Sequence, residues 1–152
     1  MRLLEFDQDS YSDILQQFIR FAKHELQLTS LPKFKFHYNS DTSATLRSFG
    51  GYTPASKSIA ITVYNRHIID VCRTLAHELV HYKQDLDNRL QKNSGEDGST
   101  EENEANAQAA VIMRKWANKY PNMFKLPMVA DPKYPRPRKH VHTRQQDKYN
   151  NY

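Results

Sequence analysis

Apolar and polar residues follow two periods along this chain, and each period predicts an element. From Asp9 to Leu28, Ile14, Phe18, Phe21, Ala22 and Leu26 recur at helical spacing, with Leu15, Ile19 and Leu28 widening the stripe. The pattern is that of an amphipathic helix, which Ser10 or Ser12 can cap. Lys33 to Asn39 alternates instead, with Phe34, Phe36 and Tyr38 on one face and Lys35 and His37 on a polar one. A period of two predicts a strand. Thr45 to Tyr52 and Lys57 to Tyr64 read as two further strands about a Thr53-Pro54-Ala55-Ser56 turn. Gly50-Gly51 marks either a bulge or a close backbone approach, and an edge strand here could pair with an extended peptide.

A second helix is predicted over Asn65 to Leu90, and its two sides differ. At about 100° per residue, Asp70, Thr74, His77, His81, Gln84 and Asp85 fall on one side. Val71, Cys72, Leu75, Leu79, Tyr82, Leu86 and Leu90 fall on the other. One face suits a core and the other a polar cleft. After a polar loop from Asn93 to Thr100, a third helix runs from Glu101 to Lys119, capped by Ser99 or Thr100. Its buried stripe is Ala105, Ala109, Ile112, Met113 and Trp116, and Pro121 ends it. Five of the seven prolines then lie between Pro121 and Pro137, with no core-forming period. The expected organisation is a folded domain over 1–120 and an extended, Pro-rich basic tail over 121–152.

Composition narrows the class. With 38% hydrophobic and 26% charged residues, the 152-residue chain is globular in type. No apolar run approaches the roughly 20 residues of a membrane span, and MRLLEFDQDS lacks a signal peptide's apolar stretch. The expectation is a cytoplasmic protein with no membrane association. The single cysteine, Cys72, excludes an internal disulfide and a Cys-based zinc finger, and it sits where a buried thiol is expected. Net charge is +5, yet residues 1–120 balance 15 Lys/Arg against 15 Asp/Glu while residues 121–152 hold 7 against 2. The basic excess belongs to the tail.

The chemistry concentrates in the second helix. His77, Glu78 and His81 form HExxH, which puts two imidazoles one turn apart on one face with a carboxylate between them. Such a pair can hold zinc, with Glu78 as general base, but catalytic zinc usually takes three protein ligands. Asp87 is rejected as the third: Gln84 stands where a chain-turning glycine would be needed, and on a continuing helix Asp87 lies about 120° from His81. A glutamate from the following helix is the other layout. Glu101, Glu102 and Glu104 lie 20, 21 and 23 residues after His81. Glu102 shares the packing face with Ala105, Asn106 and Ala109, Glu101 is at the helix edge, and Glu104 falls on a solvated side with Gln108 and Lys115. The choice is Glu102, with Glu101 second. Asn106, one turn on, can accept the free N–H of a metal-bound imidazole. His24-Glu25 is a decoy, since Leu28 occupies the second-ligand position.

HELVH followed by Glu102-Asn103-Glu104-Ala105-Asn106-Ala107 resembles the small gluzincin-type metallopeptidases, in particular the ImmA/IrrE-like group and related proteins of bacteria and their phages. Their pattern HExxH…ExxAN maps onto His77, Glu78, His81, Glu102, Ala105 and Asn106. The resemblance covers about residues 45–116. It implies an α+β, zincin-like (minigluzincin) fold, a small mixed sheet of three or four strands packed on three main helices. It also implies zinc and a peptidase acting on a protein or peptide.

Other roles follow from the remaining features. A structural or adaptor protein on the same scaffold, phage-particle associated, would dock through its tail; a phage-encoded chain would act in a bacterial host's cytoplasm or in the virion. Lys133, Arg136, Arg138, Lys139 and Arg144, with Tyr134 and Tyr149, could contact nucleic acid, although a solvated or protein-docking tail is the preferred reading. His140 and His142 are a secondary metal candidate in the tail. Tyr82, Tyr120, His140 and His142 are conceivable oxyanion donors, with Tyr82 on the core side of its helix.

Overall fold

The computed structural model describes residues 8–39 and 49–126. Positions 45–48 of the second predicted strand lie outside the described residues, as do the tail positions 127–152 with their basic, aromatic and histidine candidates. The architecture is α+β: a three-stranded mixed sheet packed with three helices. Among the described residues, no helix is long and apolar enough to cross a membrane.

Helix α1 spans Gln8–Glu25. It begins before Ser10 and Ser12, which lie inside it and do not cap it; Ser12 instead hydrogen-bonds Tyr38. Tyr11, Leu15, Phe18, Ile19 and Ala22 are buried, while Ile14 and Phe21 sit at the edge of the core. The helix stops in a Schellman turn. Gln27 adopts a left-handed φ of 55°, and the Leu28 and Gln27 N–H groups return to the Lys23 and His24 carbonyls at 3.0 and 3.1 Å.

Strands β1 (Lys33–His37), β2 (Gly50–Thr53) and β3 (Ser58–Thr62) lie in the order β1-β3-β2. β2 and β3 form the expected antiparallel pair, with Gly50 opposite Ile61 and Thr53 opposite Ser58. β1 runs parallel to β3 on its far side, from Lys33 beside Ser58 to His37 beside Thr62. The register puts Phe34 and Phe36 on the face of Ile59 and Ile61, both fully buried. His37 corrects the polar-face expectation. It does share a face with the exposed Lys33 and Lys35, but that face closes at its His37 end, where Thr62 is also buried and His37 is only 3% exposed. Its Nδ1 has no hydrogen-bond partner among the described residues.

Gly50 resolves one of the open alternatives. The β2 register is unbroken from Gly50 to Thr53, so there is no bulge there. A Cβ at Gly50 would instead meet Thr74 Cγ2 at 2.7 Å and Ile61 Cδ1 at 2.8 Å. The glycine lets the edge strand press against helix α2, whereas Gly51 faces open space.

Helix α2 spans Ile68–Leu86, shorter at both ends than the periodicity predicts. Asn65 is left-handed (φ 56°), and the His67 ring caps the start by accepting from Ile69 N–H at 3.1 Å. At the other end Asn88 is left-handed (φ 55°), and the Arg89 and Asn88 N–H groups return to the Gln84 and Asp85 carbonyls at 2.8 and 3.0 Å. Asn tolerates this conformation better than most residues, which ends the helix before Leu90. Leu86 is consequently 37% exposed and is not a core residue. Asp87 is the exposed C-cap, in keeping with its rejection as a ligand. Cys72, Leu75, Ala76 and Leu79 are fully buried, and burial pushes the Cys72 thiol up so that it stays protonated.

Helix α3 spans Thr100–Lys119, with Ser99 Oγ accepting from Glu102 N–H at 3.1 Å. The predicted stripe, Ala105, Ala109, Ile112, Met113 and Trp116, is its buried set. Alanines at 105 and 109 let α3 lie close along α2. Trp116 packs edge-on against Phe18 with ring centres 5.2 Å apart. Packing continues past Pro121, where a 3-10 turn over Pro121–Lys125 seats Met123 in the core.

Candidate metal centre

The close approach of α2 and α3 brings three side chains to one point. His77 and His81 stand one turn apart on α2, and Glu102 comes from the first turn of α3. His77 Nε2 lies 3.0 Å from Glu102 Oε1, and His81 Nε2 lies 3.0 Å from Glu102 Oε2. The two Nε2 atoms are 3.1 Å apart. One donor atom from each residue falls within 4.8 Å of the others, so the three form a group that could hold a metal ion. Tetrahedral zinc with ligands at 2.0–2.1 Å would space two donors about 3.3 Å apart. These donors are therefore near the spacing at which one metal ion could be held.

The positions follow from local structure. The Ser99 cap starts α3 where the Glu102 carboxylate meets the two imidazoles and those of Glu101 and Glu104 do not. Glu101 contributes only its main-chain carbonyl, which accepts from Gln84 Nε2 at 3.0 Å. Glu104 corrects the solvated expectation. Its carboxylate accepts from Arg89, from Gln84 Nε2 at 2.9 Å and from Gln108 Nε2 at 2.8 Å, and the Arg89 guanidinium first, then Gln84, hold it below the usual carboxylate range. Gln84 Oε1 in turn lies 2.8 Å from His81 Nδ1. Asn106 hydrogen-bonds the His77 ring in the sense that favours its charged form.

Electrostatics at the site are dominated by burial. Burial lowers the His77 pKa, against the opposing pull of Glu102. Glu78 is 8% exposed, and burial pushes its carboxyl up to about 7; His81 and the Tyr52 main-chain N–H act against that shift and Glu102 adds to it. The group opens into a cleft of about 510 Å³. β2 residues Gly50 to Tyr52 form one wall, His77, Glu78 and His81 the floor, and Leu90, Gln91 and Gly95 the other wall.

Among the conceivable oxyanion donors, Tyr82 is 3% exposed and its hydroxyl is bonded to Ser30 Oγ at 2.7 Å. Tyr120 packs on Trp116 and is not among the residues lining the cleft. Tyr52 lines it, but its hydroxyl donates to Asp85 at 2.5 Å. His24 is exposed, on the last turn of α1. Periodicity pointed to Gln84 as a member of the polar face but not to its bond to His81; the contributions of Arg89 and Glu104 had no signal in the sequence, because they depend on the turn at Asn88. The chain matches no family model, no curated protein and no solved structure.

Proposed function

We propose that the chain is a zinc-dependent metallopeptidase of the small gluzincin type. One observation carries the reading: two imidazole nitrogens and two carboxylate oxygens converge within 3.0–3.1 Å beside a buried glutamate, on the floor of an open cleft. His77, His81 and Glu102 would hold the ion. Zinc bound there supplies Lewis acidity toward a water and a substrate carbonyl.

The chain's own groups do the rest. Glu78, buried beside the ligands, takes the proton of the attacking water and passes it to the leaving amine. The Tyr52 N–H holds that carboxylate in place from β2. β2, like β1, is an edge strand among the described residues, and alternate peptide groups in an antiparallel pair point away from the partner strand. That edge suits an extended peptide added alongside it, with its scissile bond over the floor of the cleft. Gln84 and Asn106 orient the two imidazoles.

The test is cleavage of a peptide library by zinc-loaded protein, with Glu78→Gln as the control. Wild-type turnover that falls about 10²–10⁴-fold in the variant, with zinc content unchanged, supports the assignment. Full activity in Glu78→Gln removes Glu78 as the base, and wild-type protein that binds zinc but cleaves nothing favours the adaptor role over the peptidase.

A further inference from the structure

Gln84 is 1% exposed and makes three side-chain hydrogen bonds. Oε1 is 2.8 Å from His81 Nδ1, while Nε2 donates to the Glu101 carbonyl at 3.0 Å and to Glu104 Oε2 at 2.9 Å. A carboxamide can be turned over, exchanging its oxygen and nitrogen, but the neighbours of this one forbid it. The Glu101 carbonyl carries no hydrogen. The Glu104 carboxylate already accepts from two guanidinium nitrogens of Arg89 and from Gln108. A reversed Gln84 would set its oxygen against two acceptors at once, leaving buried polar groups unpaired. Oε1 therefore faces His81, and because an amide oxygen only accepts, His81 must carry its proton on Nδ1. The ring's other nitrogen, Nε2, is the one directed at His77 and Glu102.

We propose that Gln84 is a positioning residue that sets the His81 tautomer for metal binding, held in that sense by a clamp of Glu104 and Arg89. The proposal rests on the metal reading of His77, His81 and Glu102. The clamp comes from the end of α2. The turn at Asn88 folds the chain back so that Arg89 reaches Glu104 on α3, and the next two residues, Leu90 and Gln91, line the cleft. One wall of the cleft is thus tied through Arg89, Glu104 and Gln84 to a ligand on its floor.

Two measurements on the full chain test this. Nitrogen-15 spectra of the histidine rings in metal-free protein read the tautomer without any metal. The expected result is a proton on His81 Nδ1 that Gln84→Leu releases. An unprotonated Nδ1 in the wild type, or a proton equally fixed in Gln84→Leu, overturns the proposal. Zinc affinity by chelator competition is the second readout. Gln84→Leu is expected to weaken it by about 10–100-fold. Affinity unchanged in Gln84→Leu overturns the proposal. If Gln84→Leu fails to fold, Glu104→Leu alters a partly exposed side chain and is expected to weaken zinc by several-fold; unchanged affinity overturns the clamp. A wild-type chain that shows the tautomer but binds no zinc refutes the metal reading, and with it the purpose assigned to the lock, while leaving the lock's geometry confirmed.

Discussion

The chain carries the dipeptide His-Glu twice on helices, and the two copies have different surroundings. His24-Glu25 ends α1, where His24 is exposed, Glu25 reaches across to Lys115 at 2.7 Å, and Leu28 packs into the core in place of a second ligand. His77-Glu78 lies mid-helix on α2, with β2 on one side and α3 on the other. There Glu78 is buried, and His77 meets a second histidine and a glutamate from another helix. The chemistry of the second copy comes from what packing sets against it.

The largest effect is expected for Glu78→Gln, a loss of about 10²–10⁴-fold in peptide turnover, against no change for Glu25→Gln. The Glu25–Lys115 pair is on the surface and contributes only about 0.2–1 kcal/mol to stability, so thermal melting of Glu25→Gln should move little. Next comes metal removal. Zinc held as proposed, at about 100 times its dissociation constant, would stabilise the folded chain by about 2.7 kcal/mol. Chelation should therefore lower the melting temperature of the wild type and of His24→Ala, and leave His77→Ala where it was.

Smaller effects probe the crowding that separates the two copies. Gly50→Ala places a methyl group against Thr74 and Ile61 and should cost about 1–3 kcal/mol in denaturant unfolding. Gly51→Ala, facing open space, should be close to neutral. The smallest effect concerns His37. Burial, then Lys35, lowers its pKa in the folded chain, so below the ordinary histidine value of about 6.5 the unfolded chain takes up a proton that the folded chain resists. Stability is then complete above that pH and falls as pH drops through the window between the two values. A His37→Leu variant should lose this part of the pH slope, measured by urea unfolding between pH 5 and 8, while exposed His24→Ala should keep it.

Much of this arrangement was legible in the sequence, for identifiable reasons. The α3 stripe and the choice of Glu102 over Glu101 and Glu104 follow from helical phase, which an uninterrupted helix preserves over several turns. The β2–β3 pair follows from alternation about a short turn. Three features were not legible because they depend on distant partners or on one backbone angle. The left-handed Asn88 ends α2 early and swings Arg89 onto Glu104. The burial of His37 depends on the parallel pairing of β1 with β3, strands separated by β2 in the chain. Glu104 looked solvated on its own helix because its main partners, Gln84 and Arg89, come from α2 and the turn after it.

If His77, His81 and Glu102 bind one metal ion, the zinc content of purified protein reports it. Elemental analysis should find about one zinc ion per wild-type chain, retained in His24→Ala and lost in His77→Ala. A wild-type chain that holds no zinc after loading, or a His77→Ala variant that holds as much, would contradict it.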